Sequence, residues 1–233
     1  MKILFENELF SASLSSTSPD ANYPIANLTD AFLKKIYKSS LISDSITLAW
    51  NNDKTIDCLY LGFTNATALS AEFYDGNGSL IETISLSAAD LGNIFPAVPG
   101  IRSAIIYLTA PSGVVFLGTI GIGLSYSMPD PLADWVDSLL DNSAKTRSKD
   151  GQVLLNKIPP LRKLLCNFQV DDYGVYAEIK NLVAGVSAPI FCDPFELAHA
   201  KYSPFYADLD GSFQNPAKGD HIFTFSLSFV EAR

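Results

Sequence analysis

The chain has 233 residues, of which 48% are hydrophobic, 12% aromatic and only 18% charged, with a net charge of −9. That length suffices for one large or two small domains, and so few charges beside so much Phe and Tyr exclude a disordered chain. The acidic balance argues against a nucleic-acid surface, and no apolar run reaches the roughly 18 residues a membrane-spanning helix needs.

Residues 1–18 read as two short strands, Ile3–Phe5 and Leu9–Leu14, then a Ser/Thr-rich turn. The acids Glu6 and Glu8 stand where an export signal would carry its apolar core. The segment Asn22–Asp30 is irregular, and Thr29 or Asp30 is placed to cap a short helix through Lys38. Ser45–Trp50 and Thr55–Phe63 alternate as strands, joined by a polar turn at Asn51–Lys54. Ser70–Tyr74 and Leu80–Leu86 form a hairpin around Asp75-Gly76-Asn77-Gly78, whose Gly and Asn tolerate the positive φ of tight turns. Ala104–Thr109 and Gly113–Tyr126 flank another turn at Ala110–Ser112. Many short strands separated by turns predict an antiparallel sandwich.

A boundary is expected at Met128-Pro129-Asp130-Pro131, where two prolines stiffen the chain. This gives a sandwich over residues 1–128 and a smaller α+β domain over 129–233. In the second, Leu132–Leu140 is either helical by spacing or an extended bridge, and Asn142–Gly151 is either an edge strand guarded by charge or a loop. A helix is predicted over about 172–184, with Asp172 at its N-cap, Ile179 and Val183 facing a core and Gly185 at its C-terminal end. Ala188–Cys192 and Tyr202–Leu209 read as strands. The terminal strand, 221–231, alternates with Phe223, Phe225, Leu227 and Phe229 on one buried face, and the run Leu161–Asp172 is its expected partner. A terminus placed inside a core is not expected to serve as a free tail.

No catalytic constellation emerges. The two histidines, His199 and His221, have no G-x-S-x-G serine to serve, and Cys192 with His199 reads as a buried thiol and a surface imidazole. Cys58, Cys166 and Cys192 lack paired spacing, so neither disulfide nor zinc is expected and all three read as reduced core thiols of a protein folded in cytoplasm. Asp75–Ser79 begins like a calcium loop, but position twelve is Leu86 rather than Glu, which favours the hairpin. Asp208–Gly211 reads as a turn. Gly118–Gly123 lies in a strand with no following helix and is not a phosphate loop. No cofactor is implied, and the chain is not expected to be an enzyme. One binding set remains: Tyr23, Asn27, Trp50 and Arg102, aromatic and polar groups expected in loops at one end of the sandwich, where sugar rings stack on π surfaces. For Trp50 and Tyr23, packing in a core or corner is the favoured alternative.

The segment Tyr23-Pro24-Ile25-Ala26-Asn27-Leu28-Thr29-Asp30, the strand ending at Trp50 and Ile56-Asp57-Cys58-Leu59-Tyr60-Leu61-Gly62 together resemble galactose-binding-like (discoidin-type) jelly rolls of tailed-phage virion proteins. The later half is similar to the same proteins through the Arg162 strand, a helix, the Pro189–Pro194 turn and the terminal Phe-Ser-Leu-Ser-Phe-Val-Glu strand. The resemblance implies a structural protein of a siphophage-like tail tip or baseplate, assembled in the bacterial cytoplasm into the virion, with copies of itself and other tail proteins as partners. A carbohydrate-binding module touching the host surface is the alternative.

Overall fold

The computed structural model describes residues 1–30, 35–87, 92–141, 143–147, 153–156, 160–187, 189–194, 205–214 and 222–232. Among the described residues the chain is mainly β, built of antiparallel sheets with one α-helix. It divides into two compact units: Met1–Met128 with Ala188–Tyr206 in the first, and Pro129–Ser187 with Ala207–Ala232 in the second. Residues 188–206 thus group with the first unit, so the division is not a single cut after Met128.

The first unit begins with β1 (Lys2–Leu4), a 3-10 turn at Glu8–Ser11 and β2 (Ser13–Ser16). Leu9 therefore lies in a short helix rather than a strand, because the Asn7 carboxamide accepts the Leu9 N–H at 3.1 Å and bends the chain there. A second 3-10 helix, Ile25–Thr29, ends at Thr29 with Asp30 as its C-cap, instead of starting from them. Residues 31–34 of the expected helix lie outside the described residues, and its last part, Tyr37–Lys38, is strand β3.

Strand β4 runs without interruption from Ser43 to Thr64. The expected turn at Asn51–Lys54 is instead a bulged stretch of this strand, with register shifts against its neighbour between Ala49, Lys54, Ile56 and Cys58. Bulges bend a strand and increase its twist, so four polar residues mark a corner rather than a reversal. The strands β5 (Ala68–Tyr74), β6 (Leu80–Ser87), β7 (Gly92–Thr109), β8 (Phe116–Gly123) and β9 (Tyr126–Ser127) complete the set. The early half of β4 pairs with β2 and with Ser103–Thr109 of β7. Its late half pairs with β8 and with Gly92–Val98 of β7. Two strands shared in this way carry both layers of a sandwich. Between the layers lies one apolar core that includes Ile46, Leu48, Trp50, Leu59, Leu61, Phe73, Ile106 and Ile120.

The first strand of the second unit is β10 (Val136–Leu140), so Leu132–Leu140 is a turn at Leu132–Trp135 followed by extended chain, rather than a helix. Strands β11 (Ala144–Arg147) and β12 (Val153–Asn156) pair with each other, which makes 144–147 a strand. Then come β13 (Leu161–Val170) and α1 (Tyr173–Gly185). Asp172 caps the helix, its Oδ1 accepting the Gly174 N–H at 2.6 Å. Tyr176 and Ile179 are the buried helical residues, while Val183 is only half-buried. In the first unit, β14 (Ile190–Asp193) pairs with β1. Strand β15 (Phe205–Phe213) contains Asp208–Gly211, which is therefore not a turn. Gly211 holds that stretch flat beneath the helix, because a Cβ there would meet Val183 and the Phe213 ring at 2.9 Å. Finally, β16 (Phe223–Glu231) lies between β13 and the Ala207–Phe213 part of β15. Phe225, Leu227 and Phe229 are buried, and Phe168, Phe225 and Phe213 stack in sequence with centroids 4.9 and 5.4 Å apart. His221, expected to open this strand, and Tyr202 to Pro204, expected in β15, lie outside the described residues.

Candidate functional site

The four residues singled out from the sequence do not converge. Tyr23 and Asn27 lie where the chain approaches the Ser43 end of β4: the Lys38 N–H donates to the Tyr23 carbonyl, and the Asn27 amide donates to the Ile36 carbonyl at 2.9 Å. The Lys38 ammonium sits 3.9 Å from the Tyr23 ring centroid, which occupies that aromatic face with a cation. Trp50 and Arg102 lie at the other end of the same strand segment, Ser43–Trp50, a span of roughly 20 Å at the usual rise per residue. Trp50 is 5% exposed and donates its indole N–H to the Glu8 carbonyl at 2.8 Å. It is a core residue, and it offers no stacking surface. The Arg102 guanidinium donates to the Asp53 carboxylate and to the Asn51 carbonyl, clamping the bulge of β4.

The thiols are also placed by packing. Cys58, Cys166 and Cys192 are all buried and unbridged. Burial pushes the Cys166 thiol up to about 12 and raises Cys58 well above its ordinary value. Neither is thiolate at neutral pH, so neither is a ready nucleophile. His199, the partner considered for Cys192, lies outside the described residues. Among the described residues, no group of three or more His, Cys, Asp or Glu is placed to hold a metal, and no helix is long and apolar enough to cross a membrane. The Asp75 segment closes as a hairpin: its carboxylate accepts the Asn77 and Ser79 N–H groups at 2.8 Å, and Gly78 takes φ +79°.

One exposed cluster does bring chemistry together. Strands alternate sides, so register decides which side chains share a face. Ser70 lies opposite Tyr107, Glu72 opposite Ile105 and Tyr74 opposite Ser103 in the β5–β7 pair. Ser45 and Thr47 of β4 continue the same face beyond Tyr107 and Ile105. The neighbouring positions Ala71, Phe73, Ala104 and Ile106 point the other way and are buried. On the outer face, Tyr74 donates to Glu72 Oε2 at 2.5 Å and Tyr107 donates to the same oxygen at 2.9 Å. The hydrogen bond from Tyr74, then that from Tyr107, holds the Glu72 carboxyl below the usual carboxylate range. In return the Tyr74 phenol is pushed up to about 12, chiefly by its bond to Glu72, and Tyr107 is raised as well. Tyr107 is 38% exposed. The arrangement is a fixed anion flanked by two aromatic rings on an open, hydroxyl-rich sheet. Glu72 and Tyr74 carried a readable signal, a carboxylate and a phenol two residues apart on one strand face. Tyr107 became visible only through strand pairing.

No protein-family model matches the chain, and no curated protein matches it. Among solved structures, a Streptococcus pneumoniae fucose binding module is 11% identical, with TM-score 0.44, over 53% of this chain and 99% of that one. The chitosan-binding module 1 derived from a chitosanase/glucanase of Paenibacillus sp. IK-5 is 11% identical, with TM-score 0.43, over 52% and 99%. The lectin binding domain of lectinolysin, solved with Lewis b, is 9% identical, with TM-score 0.42, over 53% and 99%. These structural neighbours are carbohydrate-binding modules. The fold assignment stands on the strand register itself.

Proposed function

We propose that the chain is a non-catalytic recognition protein whose sandwich unit binds saccharide on the outer face of β5 and β7. The observation that carries this reading is the Tyr74–Glu72–Tyr107 cluster. Aromatic rings accept the C–H faces of a sugar, while an anchored carboxylate receives its hydroxyl donors. A flat, solvated face of this kind suits modest affinity, gained by repeating contacts along a polymer. The test is isothermal calorimetry and a glycan array with the intact chain, repeated on Tyr107→Ala and Tyr74→Ala. Loss of binding in both variants with unchanged melting supports the site, and full binding in both removes it. Trp50→Ala is not a probe of binding, because it should cost about 3–5 kcal/mol of stability as a large-to-small core change.

A second reading, a structural component of a phage tail tip located in the virion, is favoured by the edge strand β10. All five of its residues are exposed, with Val136, Leu139 and Leu140 among them and Leu139 71% exposed. It pairs with β13 on one side and ends the sheet order there. Among the described residues nothing pairs with its other side, and an apolar edge of that kind is a template for pairing with another chain, which an assembled ring would cover. Antibody labelling of purified virions tests this directly: signal at the tail end supports it, and its absence from particles removes it. Binding of host surface saccharide and incorporation into a tail are compatible roles for one chain.

A further inference from the structure

We infer that the Tyr74–Glu72–Tyr107 face selects protonated amino sugars, a ligand class narrower than saccharides in general; the inference rests on the saccharide-binding reading above. A phenol has one proton to give, and both phenols give theirs to the same oxygen, Glu72 Oε2. What Tyr74 and Tyr107 then offer a ligand is lone pairs only. The ionised carboxylate is likewise acceptor-only. Every polar atom of the cluster therefore asks for a donor.

The charge pattern points the same way. The outward positions registered with this face are Ser45 and Thr47 on β4, Ser103 and Ile105 on β7, Ser70 on β5, and Thr83 and Ser85 on β6. None is a lysine or an arginine, so Glu72 faces solvent without a counter-ion among them. The nearest cation along β7, Arg102, is held by Asp53 and the Asn51 carbonyl. An ammonium group brings three donors and a positive charge to a site that lacks both. A uronate brings a negative charge and is repelled, and an N-acetylated sugar brings one amide donor and no charge. The net charge of −9 adds a long-range field of the same sign.

The experiment is calorimetric titration of the intact chain with glucosamine tetramer, its fully N-acetylated counterpart and an oligouronate, at low and at physiological salt. The glucosamine tetramer should bind about fivefold more tightly than the acetylated one, the scale of one solvated ion pair. That margin should shrink with salt and vanish in Glu72→Gln, an isosteric change at a half-buried position of the outer face. Tyr74→Phe should weaken both tetramers equally. Equal affinity for both tetramers in the unchanged chain overturns the amino-sugar assignment while the saccharide reading survives. No binding of any of the three sugars, with none on the array, overturns the reading beneath it. Displacement of the tetramer by a lysine tetrapeptide at equal concentration also overturns the assignment, since it would mark a site for cations of any kind.

Discussion

Two carboxylates in the sandwich unit are each gathered by tyrosine, and they end in opposite roles. Asp44 is 5% exposed and accepts from Tyr37, from Ser16 at 2.9 Å, from Thr17 at 2.9 Å and from Ser18 at 2.8 Å. The Ser18 backbone N–H adds a bond at 3.0 Å. Glu72 accepts two phenols on an open face. In the first cluster every lone pair is spent inside the fold, tying the Ser16–Ser18 segment to the start of β4. In the second the acceptor capacity is only partly used and points to solvent. The donors are alike, so burial and residual capacity decide that one anion is structural and the other is available to a ligand.

The largest break in this comparison should come from Asp44→Ala. Removing the anion strands the Tyr37 and Ser18 donors in a buried site, and should cost about 3 kcal/mol. For a chain of this size that lowers the melting temperature by about 6–12 °C, readable by calorimetry. Glu72→Ala, measured beside it, should leave the melting temperature where it was. Equal shifts would erase the distinction drawn between the two sites.

Acid should sharpen it. Burial works against ionisation of Asp44, but hydrogen bonds from Tyr37, Ser18, Thr17 and Ser16 outweigh it, so its pKa lies below the ordinary value. A carboxyl depressed by folding stabilises the fold fully above its unfolded pKa, near 4, and loses that contribution as pH falls through the folded value. Denaturant midpoints of the unchanged chain should therefore fall more steeply below about pH 4 than those of Asp44→Asn. Parallel curves would mean that Asp44 carries no linkage.

Much of this architecture was legible because local chemistry and global fold agree. Asp75-Gly76-Asn77-Gly78 carries its own turn geometry, and the alternation from Phe223 to Phe229 matches a pleat with one buried face. Asp172 announces a helix because a short acceptor precedes a helical spacing. What stayed hidden depends on contacts far apart in sequence. Asn51–Lys54 has the composition of a turn, and only pairing with β7 keeps it extended. The glycines of Gly118–Gly123 read as strand without a reason for their size. For Gly121 the reason is Phe191, whose ring stacks on Tyr60 at 5.3 Å and lies where a Cβ of Gly121 would come within 2.4 Å, while Gly118 lies against Phe63 and Gly123 against the Glu6 carbonyl. Exposure was the hardest property to read: Trp50 and Arg102 fit a sugar site by type, yet Trp50 is in the core and Arg102 is committed to Asp53. Tyr107 reaches Glu72 through a register that no local window contains.

The smallest expected effect is also the most specific to the open site. Because Tyr74 titrates at about 12 chiefly through its bond to Glu72, Glu72→Gln should return that phenol toward the ordinary value near 10. Tyr107, raised by the same carboxylate, should move with it. Ultraviolet difference titration of Glu72→Gln against the unchanged chain should show added phenolate absorbance between about pH 9.5 and 11.5, and Tyr74→Phe in the Glu72→Gln background should remove part of that gain. Tyr37 and Tyr60, both buried and raised by burial first, should remain silent in that window in every variant. A gain that survives Tyr74→Phe and Tyr107→Phe together would come from phenols elsewhere. The carboxylate on the outer face would then not be held by the two rings beside it, and its claim to a preorganised acceptor site would fail.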